Sequence, residues 1–369
     1  MIRVLPVILV ALTIPAAAYG YGEGSDIPEG SRVIHLLTNE ARTNTREALA
    51  ACGNACSEGL DCHAEVLAPL YWDDGLYRAA QFHANMLNAI DSSEKTPCMQ
   101  HNSPCKLRTD AAAKYPYICD GAPGCACESG TAACGSSGTS TSERVKMFAS
   151  GYSAENLAST SSKPYDAFML WLYENANGSG CEWNTSNGHR FNILGGSKSI
   201  GVGYTKAREG KYYGIASQDF SGAVPSDPPV LTAGAGYRDN NALWFKTHYY
   251  AETPASAVSV TINGVKTDLA KTRGTETHGI YGSKDIEEPD ACAQYYFEAT
   301  DTSGKTTRFP TSGVLLYNCD RSWAGASSGG DSDSDCSAAI ARTTRWSAFA
   351  LLAALSMAIV CFGRRRKAN

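Results

Sequence analysis

Four residues from four separate segments have side chains that could carry out chemistry: His101, Glu155, Glu174 and His189. Histidine titrates near neutral pH and binds metals as a neutral ring, while glutamate can orient an imidazole, accept its proton or activate a water molecule. If the fold brings the four together, they form either a divalent-cation site or an acid–base cleft. His83 differs from them, because it lies on the apolar stripe of a predicted helix and is expected to pack in the core.

Other catalytic arrangements have less support. The sequence contains no Gly-x-Ser-x-Gly elbow of the kind that presents a serine nucleophile. A thiol nucleophile is disfavoured in a compartment where cysteines form disulfides.

The fourteen cysteines indicate such an oxidising compartment. Ten of them lie in residues 52–181, Cys292 and Cys319 form a separate couple, and Cys336 is followed by one more. Disulfides need even numbers, so we expect Cys292 and Cys319 to pair, while Cys336 needs another explanation. Zinc is the alternative for the four cysteines of residues 119–134, but their intervals of five, one and six residues do not match those of structural zinc sites.

Both ends of the chain carry features of sorting signals. Residues 1–18 contain a basic residue, an apolar run and a small-residue cleavage pattern, which predict a secretory signal peptide. After a Gly/Ser/Asp linker at 324–335, residues 336–369 contain Cys336, an apolar stretch at 346–363 and a basic cluster. The apolar stretch is near the lower limit for crossing a bilayer and the basic cluster would stay on the cytoplasmic side, so we expect the remaining chain outside the membrane.

This order of cysteine, short spacer, apolar helix and arginine cluster resembles the C-terminal sorting tags of myxobacterial surface proteins. The resemblance implies a bacterial protein held at the cell surface or outer membrane, with Cys336 as the processing and anchoring site and with removal of the helix. A permanent single-pass anchor is the alternative. A eukaryotic lipid-anchor signal fits less well, because its tail normally ends in apolar residues.

Composition excludes several classes of protein. Apolar residues make up 43% of the 369 residues and charged residues 19%, with long apolar runs only at the ends, so the chain is neither a polytopic membrane protein nor disordered. Residues 19–335 contain 25 basic and 37 acidic residues, a net charge of −12. An acidic surface repels phosphate backbones, so we expect no nucleic-acid partner.

Residues 31–221 mix helix and strand patterns and form the first predicted domain. Apolar residues recur at helical spacing in 33–48 and 76–90, and Pro164 can begin a third helix. Towards the end of the domain the period becomes that of a strand hairpin. A stretch at about 98–142 that is rich in Cys, Gly, Ala and Ser has no period and is expected to be a disulfide-stapled insertion. The pattern predicts an α+β fold with helices packed on an antiparallel sheet.

A second domain is predicted after a linker. Residues 222–236 contain three prolines and are expected to separate the two domains. Residues 237–322 contain several short alternating strand patterns, few helix signals and one cysteine pair. These features predict a small all-β sandwich of immunoglobulin-like kind.

Six short motifs of the first domain follow one another in an order that is typical of a known family. They are Asn39-Glu-Ala-Arg42, Pro69-Leu-Tyr-Trp-Asp-Asp-Gly-Leu76 with Ala79-Ala-Gln-Phe-His-Ala84, Gly151-Tyr-Ser-Ala-Glu-Asn-Leu-Ala158, Trp171-Leu-Tyr-Glu174, Gly188-His-Arg-Phe-Asn-Ile-Leu194 and Gly201-Val-Gly-Tyr204. Together they resemble the CAP superfamily, which includes cysteine-rich secretory proteins, the insect venom allergens known as antigen 5, and plant pathogenesis-related class 1 proteins. The resemblance covers about half of the chain.

The resemblance to the CAP (SCP) domain implies an α-β-α sandwich with an open cleft lined by two histidines and two glutamates. Matched residue by residue, the glutamate before Asn-Leu-Ala is Glu155, the one three residues after the helix tryptophan is Glu174, and the histidine of the Gly-His motif is His189. His101, in a His-Asn-Ser sequence, resembles the first histidine of the family. The insertion after His101 and a lengthened segment at 178–186 depart from the family pattern and could reshape the cleft.

The resemblance leaves the activity open, because similar proteins have been associated with sterol or fatty-acid binding, divalent-cation binding and proteolysis. No nucleophile is evident, so we expect a surface-displayed module whose cleft binds a small apolar or lipid-like ligand, with His101 and His189 able to hold Zn²⁺ or a similar cation. One alternative is a metal-assisted hydrolase in which Glu155 or Glu174 activates a water molecule. The other is a structural adhesin that uses the β-domain as its contact surface.

Overall fold

The computed structural model describes residues 27–52, 62–90, 98–114, 124–160, 163–174, 187–207, 213–239, 242–319 and 323–324, which form seven helices and fourteen strands. The helices are α1 (Glu29–Thr43), α2 (Thr45–Ala50), α3 (Asp74–Ile90), α4 (Ala111–Lys114), α5 (Thr141–Lys146), α6 (Pro164–Leu172) and α7 (Gly188–Leu194). The strands of the first half are β1 (Tyr71–Trp72), β2 (Ala154–Thr160), β3 (Ser199–Tyr204) and β4 (Gly214–Ser221). Those of the second half are β5 (Leu231–Asp239), β6 (Ala242–Tyr250), β7 (Ala255–Ile262), β8 (Val265–Asp268), β9 (Ala270–Gly274), β10 (His278–Ser283), β11 (Ala293–Asp301), β12 (Thr306–Phe309), β13 (Val314–Tyr317) and β14 (Trp323–Ala324).

The predicted signal peptide, Cys336 and the apolar stretch at 346–363 lie outside the described residues. Within the described part of the chain, no helix has both the length and the apolar character needed to cross a bilayer.

A four-stranded sheet with the order β1-β3-β4-β2 lies at the centre of the first half, and helices cover both of its faces. On one face α3 packs directly on β3, where a Cβ atom on Gly203 would lie only 2.3 Å from the carbonyl carbon of Ala80. On the other face Gln218 of β4 donates a hydrogen bond of 3.0 Å to Thr38 of α1, and α6 and α7 pack beside α1. The prediction of an α+β fold is confirmed, and β2 forms an edge of the sheet.

Local sequence signals explain where the helices near this edge begin. A capping box opens α5, because the Ser140 hydroxyl accepts from the Glu143 backbone N–H while the Glu143 carboxylate accepts from the Ser140 N–H. Pro164 occupies the first turn of α6, where its fixed φ fits a helix and its missing N–H leaves no hydrogen bond unmade.

The insertion predicted at about 98–142 is held by two disulfides, Cys98–Cys134 and Cys105–Cys127. Its described residues contain the short helix α4 and little other regular structure, so covalent links replace secondary structure as the source of order. Three further cysteines of the first half are also disulfide-bonded: Cys52, Cys62 and Cys125.

The second half is rich in β-strands, as predicted. Sheet β5-β6-β10-β9 and sheet β14-β13-β11-β7-β8, in which β12 pairs with β11, enclose one apolar core that includes Phe245, Val260 and Phe297. Cys292 and Cys319 form a disulfide. The likeness to immunoglobulin domains stays a prediction.

The expected linker at 222–236 is shorter than predicted, because residues 231–236 already belong to β5. Leu231, Ala233 and Ala235 alternate along this strand and are almost fully buried. The three prolines that indicated a linker all precede residue 231. Strand β5 packs against α1, and Ala233 and Ala235 belong to the same apolar core as the α1 residues, so the two halves share a core.

Candidate functional site

His101 and Glu155 form the first imidazole–carboxylate pair of the site. The Nδ1–H of His101 donates to Oε1 of Glu155 at 2.8 Å. The carbonyl oxygen of His101 accepts from the Arg144 guanidinium at 2.6 Å and from the Thr141 hydroxyl at 2.9 Å, and both donors lie on α5. Helix α5 therefore fixes the loop that carries His101, and the disulfide from Cys98 to Cys134 holds the same loop covalently.

Glu155 lies on the edge strand β2 with only 1% of its side chain exposed. Its second oxygen, Oε2, accepts from the guanidinium of Arg144, whose side chain is completely buried. Burial of the carboxyl group opposes ionisation, but the charge of Arg144, the electrostatic interaction with His83 and the hydrogen bond from His101 outweigh it and lower the pKa of Glu155 to about 2. Glu155 is therefore ionised over the whole neutral range.

Two further buried groups adjoin this pair. His83 of α3 is fully buried, and burial together with the Arg144 charge lowers its pKa to about 3. Its Nε2 bonds the carbonyl of Gln100 at 2.9 Å, next to His101 in the chain. His83 thus packs in the core, and it also supports the His101 loop.

Asp219 is the second of these groups, and sequence reasoning missed it. It lies directly opposite Glu155 in the β2–β4 ladder, is fully buried, and receives no hydrogen bond from any described donor. Burial and the adjacent Glu155 carboxylate, to which a protonated Asp219 can donate, raise its pKa well above the usual value, although Arg144 acts in the opposite direction. Asp219 therefore favours its neutral form.

Glu174 and His189 form the second pair. The Nδ1–H of His189 donates to Oε1 of Glu174 at 2.9 Å. Oε2 of Glu174 accepts from the backbone N–H groups of His189 at 2.9 Å and Arg190 at 3.4 Å, which belong to the first turn of α7. Burial opposes ionisation of Glu174, but these hydrogen bonds and His189 lower its pKa. The carboxylate thus orients the imidazole and caps the helix that carries it.

Arg190 ties the end of α6 to the start of α7. Its Nε donates to the carbonyl of Leu172 at 2.7 Å, and its guanidinium also donates to the carbonyl of Glu174. The two helix ends that supply the second pair are therefore fixed relative to each other.

The two pairs are anchored on opposite faces of the edge strand β2. Successive residues of a strand point to opposite faces. Glu155 lies on the face covered by α3 and α5, and the next residue, Asn156, donates to the carbonyl of His189 at 3.2 Å on the other face. A ligand shared by His101 and His189 must therefore lie beyond the free edge of the sheet.

Both imidazoles present their second nitrogen in the same way. Because Nδ1 donates to a carboxylate in each pair, Nε2 is left as the acceptor nitrogen, and no described residue bonds it. The side chains of His101 and His189 are 55% and 33% exposed, respectively. An imidazole oriented by a carboxylate at one nitrogen is the usual form of a metal-binding histidine. The described residues contain no cluster of three or more His, Cys, Asp or Glu side chains that could hold a metal, so a cation here would complete its coordination with water or a bound molecule.

A cavity of about 180 Å³ lies between α1 and α6 on the side of the second pair. Leu37 of α1 and Phe168 and Leu172 of α6 supply apolar walls. At another side the ammonium group of Lys246 forms hydrogen bonds of 3.0 and 3.1 Å with the Glu40 carboxylate. The cavity thus combines an apolar wall with a charged one.

Comparison with known proteins agrees with these observations. The model of a family described as CAP, the cysteine-rich secretory protein family, matches residues 36–220. This range is half of the chain and contains both imidazole–carboxylate pairs. A search of curated proteins finds no match to the chain.

Proposed function

Since the chain belongs to the CAP family of cysteine-rich secretory proteins, we propose that its first half is a binding module rather than an enzyme. In this proposal His101 and His189 hold a divalent cation such as Zn²⁺, and a small apolar or lipid-like molecule binds beside them. One observation carries the proposal: each carboxylate of the site is bonded to the Nδ1 of an imidazole, which leaves Nε2 of both rings for a ligand.

The pairing of each carboxylate with an imidazole also weighs against a hydrolase. A general base works best when its pKa is close to the working pH. The pKa of Glu155 is lowered to about 2, and that of Glu174 is lowered as well, so both groups are weak bases. Both carboxylates also accept hydrogen bonds from other groups of the protein, and these bonds compete with a water molecule that needs activation.

The lipid-like part of the proposal rests on the cavity between α1 and α6. Its apolar wall can accept part of a hydrocarbon chain, while the Lys246–Glu40 side can contact a polar headgroup. Helix α6 ends two residues before Glu174, so the α6 residues that line this cavity are close in sequence to the second pair.

Family and disulfides together suggest an extracellular protein. Attachment to the cell surface through Cys336 and the apolar stretch at 346–363 is part of the proposal.

Isothermal titration of the full chain with Zn²⁺ tests the cation site. We expect His101→Ala and His189→Ala each to lower the affinity at least tenfold, because each removes one of two protein ligands. His63→Ala is the matched control, since it removes a partly exposed histidine that belongs to neither pair. Equal loss in all three proteins, or no loss in the first two, would contradict the cation site.

Two further measurements separate binding from catalysis. Native mass spectrometry before and after chelation identifies a bound metal and any co-purified lipid. Assays against peptide and ester libraries test turnover, and turnover by the wild-type protein that Glu155→Gln abolishes would favour the hydrolase instead.

A further inference from the structure

A larger cavity, which the two imidazole–carboxylate pairs do not touch, lies where the two halves of the chain meet. Its volume is about 780 Å³, within the range of roughly 300–1,000 Å³ that is typical of small-molecule sites. Tyr71 of β1 supplies one wall together with Pro228 and Val230. The ends of β6 and β10 and the turn between β11 and β12 supply the others.

Two tyrosine hydroxyls in the cavity have no partner in the described part of the protein. Tyr250 faces His278 across the β6–β10 ladder, with ring centroids 4.8 Å apart and an angle of 80° between the rings. Tyr71 comes from β1, and its burial together with the nearby Tyr250 raises its pKa to about 12. The neighbouring Tyr249 is different, because its hydroxyl donates to the carbonyl of Thr253 at 2.6 Å. The hydroxyls of Tyr71 and Tyr250 are thus available to a ligand.

Charged groups of both signs line the opposite side. Asp301 uses Oδ1 to accept from Ser303 and from the backbone N–H of Lys305, which fixes the carboxylate in the turn and leaves Oδ2. Glu252 and Lys305 line the cavity and are exposed to solvent. Carboxylates only accept hydrogen bonds, ammonium groups only donate, and tyrosine hydroxyls do both.

This mixture of groups decides which class of ligand fits. A carboxylate or phosphate ligand would face two carboxylates and one ammonium group, and a cationic ligand would face the same two carboxylates together with Lys305, so a charged ligand of either sign meets a like charge. A wholly apolar ligand would leave the polar groups of the cavity without partners, which costs free energy for each group that loses water. A ligand with many neutral hydroxyls can satisfy donors and acceptors together, and its C–H faces can pack on the tyrosine rings and on Val230.

We propose that the junction cavity is a binding site for a neutral oligosaccharide, with Tyr71 and Tyr250 as its central contacts. Because β1 belongs to the first half and β6 to the second, the site requires both halves. It is separate from the proposed cation site, and neither needs the other.

The test uses the full chain and three neutral probes: maltotriose, cellotriose and tri-N-acetylchitotriose. We expect isothermal titration to detect binding of at least one probe at millimolar or lower concentration. Tyr250→Ala should lower the affinity at least tenfold, because it removes a ring face and a hydroxyl. Tyr71→Phe should lower it roughly two- to tenfold, the loss of one hydrogen bond.

Two variants act as controls. Tyr296→Phe removes a tyrosine hydroxyl that is outside the cavity, and His101→Ala disturbs the proposed cation site, so both should keep full affinity. Absence of binding by all three probes would overturn the proposal. So would equal affinity of the Tyr250→Ala and wild-type proteins, or a clear preference for sialylated or sulfated oligosaccharides over neutral ones.

Discussion

Replacement of Glu155 by glutamine tests the charge balance around Arg144. Removal of one partner from a buried ion pair usually costs about 3–5 kcal/mol, because the other charge stays buried without compensation. Here a second carboxyl group adjoins the pair, since Asp219 lies opposite Glu155 and interacts with Arg144. Once Glu155 is neutral, burial still raises the pKa of Asp219, but the adjacent carboxylate no longer adds to this effect, and the charge of Arg144 continues to lower the pKa. Asp219 can then release its proton and balance Arg144.

Double-mutant analysis makes this expectation quantitative. Asp219→Asn replaces a neutral carboxyl group by a neutral amide of the same shape, and we expect it to cost less than about 1 kcal/mol. For Glu155→Gln we expect a cost of about 1–2 kcal/mol, because Asp219 takes over the charge but hydrogen bonds are lost. In the double variant neither residue 155 nor residue 219 supplies a carboxylate to Arg144, and we expect the full cost of about 3–5 kcal/mol. The two substitutions should therefore be coupled by about 2 kcal/mol.

Urea unfolding at pH 7 measures these values, and the fluorescence of the buried Trp72 and Trp171 reports the transition. Asp268→Asn is the matched control, since this exposed residue should change the free energy of unfolding by less than about 0.5 kcal/mol. Additive effects of the Glu155 and Asp219 substitutions, or a cost for Asp219→Asn as large as that of Glu155→Gln, would show that Asp219 is already ionised in the folded protein.

Three further predictions concern the elements that position the site. Burial lowers the pKa of His35 to about 4 from its usual 6.5. As the pH falls from 6.5 to 4, the unfolded chain therefore binds a proton at this residue before the folded protein does, and the free energy of unfolding falls by about 3 kcal/mol. Urea titrations should show a smaller fall for His35→Gln. Gly203→Ala places a Cβ against the backbone of α3 and should cost about 1–3 kcal/mol in thermal unfolding. Cys98→Ser with Cys134→Ser frees the loop that carries His101, so Zn²⁺ affinity in calorimetry should fall while the fold persists, and unchanged affinity would contradict a role for this disulfide.

The sequence predicts the first half well because its signals are local. Period-3.6 apolar residues and Pro164 indicated three helices. The structure has the second and third as α3 and α6, but it divides the first at Asn44 into α1 and α2. Glu174 lies just beyond the end of α6 and His189 lies in the first turn of α7, and the structure places them within hydrogen-bond distance of each other. His101 and Glu155 are 54 residues apart, yet they also pair. Spacing alone could not show that pairing, and only the resemblance to the CAP family predicted that the four residues belong together.

Two features could not be predicted, since both depend on contacts between distant segments. The alternation of Ile215, Ser217 and Asp219 correctly indicates a strand, but a polar alternate face usually means exposure to solvent. Here that face is buried, so a carboxyl group that accepts no hydrogen bond from the described residues lies in the interior. Residues 231–236 consist mainly of small residues, which have weak strand propensity. They form β5 because α1 covers them.

A buried or partly buried arginine supports each imidazole–carboxylate pair, and this explains why the two pairs are fixed although they lie on different faces of β2. Arg144 bonds both the carboxylate of the first pair and the backbone of its histidine. Arg190 bonds the backbone at the end of α6 and leaves the Glu174 carboxylate to the second histidine and the N-terminus of α7. In both cases the guanidinium holds backbone carbonyls in place. Arginine is better suited to this role than lysine, because the guanidinium has several donors in a rigid plane and lysine has a single ammonium group. Since each imidazole is oriented before any ligand arrives, a cation need not reorganise its ligands to bind. The affinity of the proposed site for a divalent cation should therefore depend on the two arginines almost as strongly as on the two histidines.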